Sequence, residues 1–288
     1  MSEWVLGVVG GSGVYDLPGL TGARWERVQS PWGEPSDALL FGELDGVRLV
    51  FLPRHGRGHR VSPTHINFRA NIDVLKRAGC TDVVSVSAVG SLSEDLAPGT
   101  FVVVDQFVDR TFAREKSFFG EGVVAHVSMA DPVCPRLAGL VAAAGRAAGA
   151  KLVEGGTYLA MEGPQFSTRA ESRLYRGWGC DVIGMTNMPE AKLAREAELP
   201  YACVAMVTDW DCWREGEEAD VSEIVAVMHA NAALAKALVR NLVGALKGPR
   251  PASPIDTCLD TAIITPPDAR DPALVAKLDA VAGRVLQG

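Results

Sequence analysis

Apolar residues recur along this chain with two different periods, and the alternation between them is the first guide to its fold. Short runs rich in β-branched residues at Trp4–Val9, Ala38–Leu44, Val47–Leu52, Asp82–Val86, Phe101–Val104, Lys151–Met161, Val182–Met185 and Tyr201–Val207 predict strands. Asp45-Gly46, between the second and third of these, is a favoured hairpin turn. Helical spacing takes over at Thr64–Ala78, where Ile66, Ala70, Ile72, Val74, Leu75 and Ala78 share a face and Gly79 supplies the stop. Further helices are predicted over Arg136–Ala148, Thr168–Trp178, Pro189–Ala197 and Val221–Ala245, the third opened by its proline. Strand and helix alternate, so an α/β layered fold follows. That unit spans residues 1–246; Pro249–Pro254 reads as a linker, and a last helix is expected between Pro272 and Leu286, in a 247–288 extension of unassigned role. The stretch 110–134, carrying Phe112, Phe118 and Phe119, reads as a long excursion of the kind that is functional or forms an interface.

Four segments beside these elements carry candidate chemistry. Gly10-Gly11-Ser12-Gly13 follows the first strand; its backbone can approach an anion closely, or simply turn the chain. The turn is neither a dinucleotide fingerprint, because Asp16 stands where the last glycine belongs, nor a P-loop. Pro53-Arg54-His55-Gly56-Arg57-Gly58-His59-Arg60 gathers three arginines and two histidines. Arginine forks fit phosphate or carboxylate oxygens, although a solvated basic loop has the same composition. His55 and His59 lack a third ligand at a recognised spacing, which disfavours a metal. Ser87-Ala88-Val89-Gly90-Ser91 lies at a strand end, where open α/β sheets place ligands. Thr208-Asp209-Trp210-Asp211-Cys212-Trp213 offers two carboxylates that suit a cation, acid–base work, or the donor edge of a flat heteroaromatic ring.

Composition narrows the class. With 288 residues, 48% hydrophobic and 22% charged, the chain can bury a core and is neither disordered nor fibrous. Its 28 basic and 35 acidic residues give a net charge of −7, which argues against a general nucleic-acid binder. Any bound anion therefore needs a local positive cluster. Six cysteines without a C-x-x-C suggest neither a zinc site nor a disulfide framework. Met1–Gly13 lacks the features of a secretory signal, and no apolar run reaches the ~18 residues of a membrane span. A cytoplasmic protein without a membrane partner is expected.

The segments acquire a common meaning when taken in order. Arg54-His55-Gly56 with His59, Pro63, Asn67, Ala70 and Asn71, then Ala88-x-Gly90-Ser91, Asp105-Gln106-Phe107-x-Asp109-Arg110-Thr111, Glu162-Gly163-Pro164-x-Phe166, Met185-Thr186-x-x-Pro189-Glu190 and Thr208-Asp209-x-Asp211-Cys212-Trp213 span the chain. This series closely resembles the 5′-methylthioadenosine phosphorylases of the trimeric purine nucleoside phosphorylase superfamily. The resemblance runs from about Val5 to Leu246. It implies a three-layer α/β/α fold around a central mixed sheet, and a pentosyltransferase of purine and methionine salvage. Phosphate would attack C1′ of 5′-methylthioadenosine, as a co-substrate and with no metal or organic cofactor.

By the same resemblance, Ser12, Arg54, His55, Ser87, Ala88 and Thr186 match phosphate-site positions, and Phe166 and Met185 pack the base and ribose. Asp209 and Asp211 match the pair that reads the purine, with Asp209 as general acid. His126 reaches a neighbouring subunit's 5′ pocket, which implies a homotrimer, and Val221, Ile224 and Val225 are candidates for an apolar methylthio pocket. Two aspartates favour a 6-amino purine, whereas 6-oxopurine and methylthioinosine phosphorylases typically carry asparagine at the first. A non-catalytic nucleoside-binding regulator is the alternative from another class. Ser12 and Ser87 stand where threonine is usual, Val89 replaces a cysteine, and Gly184 replaces a larger polar residue, so a side-chain contact to the ribose from there is expected to be lost.

Overall fold

A computed structural model describes residues 3–11, 14–214 and 221–286. The elements run β1 (Val5–Gly10), β2 (Thr21–Glu26), β3 (Leu39–Leu44), β4 (Val47–Pro53), α1 (Phe68–Arg77), β5 (Asp82–Ser91), β6 (Phe101–Val104) and β7 (Gln106–Arg110). They continue with α2 (Pro135–Ala147), β8 (Leu152–Glu154), β9 (Thr157–Met161), α3 (Arg169–Gly177), β10 (Val182–Gly184), α4 (Asn187–Glu196), β11 (Tyr201–Asp209), α5 (Val221–Ala245), α6 (Pro272–Lys277) and α7 (Asp279–Leu286).

Among the described residues, eleven strands form one mixed sheet. The long central strand β5 organises it. Its first half lies parallel to β1, its other edge runs parallel to β11, and its last two residues, Gly90 and Ser91, pair antiparallel with β10. The sheet therefore forks at the carboxyl end of β5, and a fork leaves a crevice between diverging strands.

Side-chain alternation sends successive residues to opposite faces. Along β1, Val5 and Val9 join the core under α1, α4 and α7, while Leu6 and Val8 join the core under α2 and α5. Both faces of the sheet are thus covered, giving the three layers expected. No helix among the described residues is long and apolar enough to cross a membrane.

Several boundaries differ from the sequence reading for identifiable reasons. The strand β2 was hidden because all six of its residues are exposed and it pairs only with β3, so burial left no pattern to read. The run 151–161 is two strands, broken where Gly155 and Gly156 take positive φ values of 83° and 126°. The last helix is also two, meeting at Leu278.

Residues 247–286 pack into the same cores. Leu259, Ala262, Leu278, Val281 and Ala282 are buried against α1 and α4, and Ile255 joins the opposite face. Arg250 grips Asp256 through two bonds of 2.8 and 2.7 Å and also reaches Asp82, the first residue of β5. Backbone bonds from Ile264 to Val124 O, 3.0 Å, and from His126 to Ala262 O, 2.9 Å, tie this extension to the 110–134 excursion.

Candidate active site

A cavity of about 220 Å³ opens at the fork, at the carboxyl ends of β1, β4, β5 and β11. Gly11, Arg54, His55, Ser87, Ala88 and Thr186 line one end, and Asp209, Asp211, Phe166 and Met185 the other. Ser12 lies outside the described residues. Residues as far apart in the chain as Gly11 and Asp211 thus converge because each follows a strand of one sheet.

Arg54 directly follows β4 but is only 2% exposed. Nε and Nη2 donate to the two oxygens of Glu190 at 2.8 and 3.1 Å, Nη1 donates to Val86 O at 3.1 Å, and Nη2 also reaches Ser85 Oγ. Burial opposes its charge, yet the Glu190 carboxylate outweighs this and raises the guanidinium pKa. Glu190 in turn accepts from Tyr201 Oη at 2.8 Å. The basic loop is therefore less basic where it matters: its deepest charge is already paired.

His55 is neutral. Burial pushes its pKa down to about 4, outweighing a bond from Nδ1 to Val61 O of 2.8 Å. A carbonyl can only accept, so the proton sits on Nδ1 and Nε2 keeps its lone pair. The His59 ring stacks on His55 at 4.2 Å. Nearby, Ser87 Oγ and Thr186 Oγ1 meet at 3.0 Å, joining β5 to the start of α4.

At the other end, Asp209 Oδ2 accepts from Thr208 Oγ1 at 2.7 Å and Oδ1 from the Asp211 N–H at 2.8 Å. Burial pushes both carboxyl pKa values up, against hydrogen bonds that lower them. A Cβ on Gly90 would stand 3.0 Å from Asp209 Oδ1 and 3.3 Å from Asp211 Cβ, so glycine at the fork lets the two aspartates close over β5. Trp213 Nε1 donates to Ser91 O at 2.7 Å and pins the turn.

Three expected residues lie elsewhere in the single chain. Val221 and Val225, 63% and 42% exposed, do not line the cavity, because only Ile224 and Met228 of α5 turn towards it. His126 is exposed on the 110–134 excursion and also stands outside the lining. Conversely, Met161, Ile183 and Met228 line the cavity without having been singled out. Apolar residues at strand ends and on a helix carry no sequence signal that separates a pocket wall from the core.

Gly184 also acquires a physical reason. A Cβ there would lie 2.0 Å from Tyr158 Oη and 3.1 Å from Val89 Cγ1, so the phenol fills the space a side chain would need. Overpacking of this kind costs about 1–3 kcal/mol. Gly184→Ala should lower stability by about that amount in urea unfolding; an unchanged midpoint would show that the phenol gives way freely.

Comparison with known proteins follows the geometry. The phosphorylase superfamily profile matches residues 5–244. The chain is 61% identical over 287 residues to S-methyl-5′-thioadenosine phosphorylase of Cereibacter sphaeroides, covering 99% of each chain. It is 62% identical over 291 residues to the Bradyrhizobium diazoefficiens protein of that name, covering 100% of each. A crystal structure of methylthioadenosine phosphorylase from an Antarctic soil metagenomic library superposes with a TM-score of 0.92 at 44% identity, covering 98% of this chain and 99% of that one. A mutant adenosine/methylthioadenosine phosphorylase from Schistosoma mansoni, in complex with methylthioadenosine, gives a TM-score of 0.80 at 34% identity, with 86% and 93% covered. The chain belongs to the phosphorylase superfamily and, within it, to the S-methyl-5′-thioadenosine phosphorylases.

Proposed function

We propose that the chain catalyses the reversible, phosphate-dependent cleavage of S-methyl-5′-thioadenosine to adenine and S-methyl-5-thio-α-D-ribose 1-phosphate. The observation that carries this reading is one cavity with two chemically distinct ends: buried carboxyls of raised pKa facing a cluster of hydroxyls, a neutral imidazole and a paired arginine. Cleavage develops positive charge on the sugar and negative charge on the departing base, so an anion is needed at C1′ and a proton donor at the purine. Asp209, whose proton affinity burial raises, gives a proton to N7 as the glycosidic bond breaks. A phosphate oxygen supplies the electron pair for the new C–O bond.

The electrostatics favour a particular form of phosphate. Glu190 already balances Arg54, and Ser87 and Thr186 supply hydroxyl donors. The Nε2 lone pair of His55 accepts from a P–OH, so a phosphate that keeps a proton suits the site better than the trianion. Phe166, half exposed, and Met185 provide flat and pliable apolar contact for base and sugar.

No organic cofactor or metal enters this scheme. The exposed position of His126, away from the cavity of its own chain, supports a homotrimer in which it completes a neighbour's 5′ pocket, beside Ile224 of that neighbour. The test is direct. Purified protein should release adenine from S-methyl-5′-thioadenosine only when phosphate is present; release without phosphate, or none with it, would exclude the reaction. Faster release of hypoxanthine from S-methyl-5′-thioinosine would move the assignment to the 6-oxopurine enzymes.

A further inference from the structure

We infer that Arg114, on the 110–134 excursion, is a positioning residue for the nucleoside half of the cavity. The inference rests on the reaction proposed above. Arg114 does not line the cavity; it holds two of the segments that do, and a third through Glu162.

The guanidinium is buried and fans out across the rear of the site. Nη1 donates to Met185 O at 2.6 Å and Met188 O at 2.8 Å; Nη2 donates to Glu162 O at 2.6 Å and Met161 O at 3.4 Å; Nε donates to Glu162 Oε1 at 3.1 Å. The carboxylate of Glu162 extends the same hub. Its oxygens accept from Thr64 Oγ1 at 2.8 Å and from the Phe112 and Ala113 N–H groups at 2.7 and 3.1 Å. Burial raises its pKa, but these bonds together with the Arg114 charge prevail and hold it at about 2.

Three wall segments therefore share one clamp. Met161, Met185 and Pro63, each within one residue of a bond to the hub, all line the cavity. Met185 is locked from a second side, since a Cβ on Gly163 would lie 2.5 Å from its Sδ. For the carbonyls that Arg114 holds the loop is the donor, so an excursion that does not line the cavity fixes the backbone that carries Met185. Among the described residues no hydrogen bond joins Arg54 or His55 to Arg114 or Glu162; they are held instead through Glu190 and Val61. The phosphate end meets the hub only through Thr186, which lies between the clamped carbonyls of Met185 and Met188.

The experiment is steady-state kinetics of Arg114→Gln and Arg114→Lys on the full chain, varying nucleoside and phosphate independently. Misplacing a pocket wall by a fraction of an ångström is expected to raise the nucleoside KM by about tenfold and leave the phosphate KM within about threefold. Lysine, which keeps the charge and some of the carbonyl bonds, should fall between wild type and Arg114→Gln. If Arg114 only supports folding, loss of active protein lowers kcat and moves neither KM, which overturns the inference; so does an equal rise in both. Should Arg114→Gln not fold, Arg114→Lys is read by the same criterion. The wild-type assay fixes which purine nucleoside is used, so failure of the substrate assignment shows in wild type, whereas failure here shows only in the variants.

Discussion

Asp209→Asn should lower adenine release from S-methyl-5′-thioadenosine by about 10²–10⁴-fold, the range expected when a positioned acid is removed. The same change should shift selectivity towards the 6-oxo nucleoside. At present Asp209 is held by Thr208 and by the Asp211 N–H, and burial keeps its proton affinity high. Asparagine preserves the shape but places an amide where a carboxyl faced the base. Its NH₂ suits an oxo group and opposes an exocyclic amine, and a buried group left facing the wrong partner bears the desolvation cost. The measurement is the ratio of kcat/KM for S-methyl-5′-thioadenosine to that for S-methyl-5′-thioinosine. A ratio equal to that of wild type would remove Asp209 from base recognition. Because the carboxyl pKa values of the pair are raised, wild-type kcat/KM should fall as pH rises through them, and Asp209→Asn should flatten that alkaline limb.

Glu190→Gln carries the largest expected effect on stability. Arg54 and Glu190 are 2% and 1% exposed, and the pair lies in a buried network with Tyr201, Ser85 and Asn187. Removing one partner of such a pair leaves an uncompensated buried charge and typically costs about 3–5 kcal/mol. Chemical denaturation should show a loss of that order. A loss below about 1 kcal/mol would mean that water reaches Arg54 and the pair is not sealed. Any folded Glu190→Gln enzyme should bind phosphate differently, since an unbalanced guanidinium attracts the dianion more strongly.

Much of this architecture was legible because burial writes periodicity into sequence. The helix α1 declares itself through its apolar spacing, β1 as a short β-branched run buried on both faces, and Gly10, Gly90 and Asp45-Gly46 through turn chemistry. An exposed edge such as β2 leaves no such trace. The candidate site was legible as segments, since strand ends with Ser, Gly and Asp are distinctive. What the residues alone left open was their state. Arg54 reads as a free cation until Glu190, 136 positions later, is seen to pair with it, and His55 reads as an ionisable group until burial is known. Arg114 escaped notice, and Glu162 stood only inside a motif with no role of its own, for the related reason that a hub is defined by its partners and not by its own type.

The ion pair between Arg250 and Asp82 bears on the order in which the molecule can be built. Asp82 begins the central strand, and its partner lies 168 residues further along the chain. During synthesis the central strand emerges with a carboxylate whose buried counter-charge does not yet exist. The apolar side chains that finish the face over α1, from Leu259 to Ala282, come later still. Nascent chains that have reached residue 244, where the match to the phosphorylase superfamily ends, are therefore still unfinished as a core. They expose apolar surface and an Asp82 that has Arg136 but not yet Arg250 as its partner, and the finished core waits on the last forty or so residues.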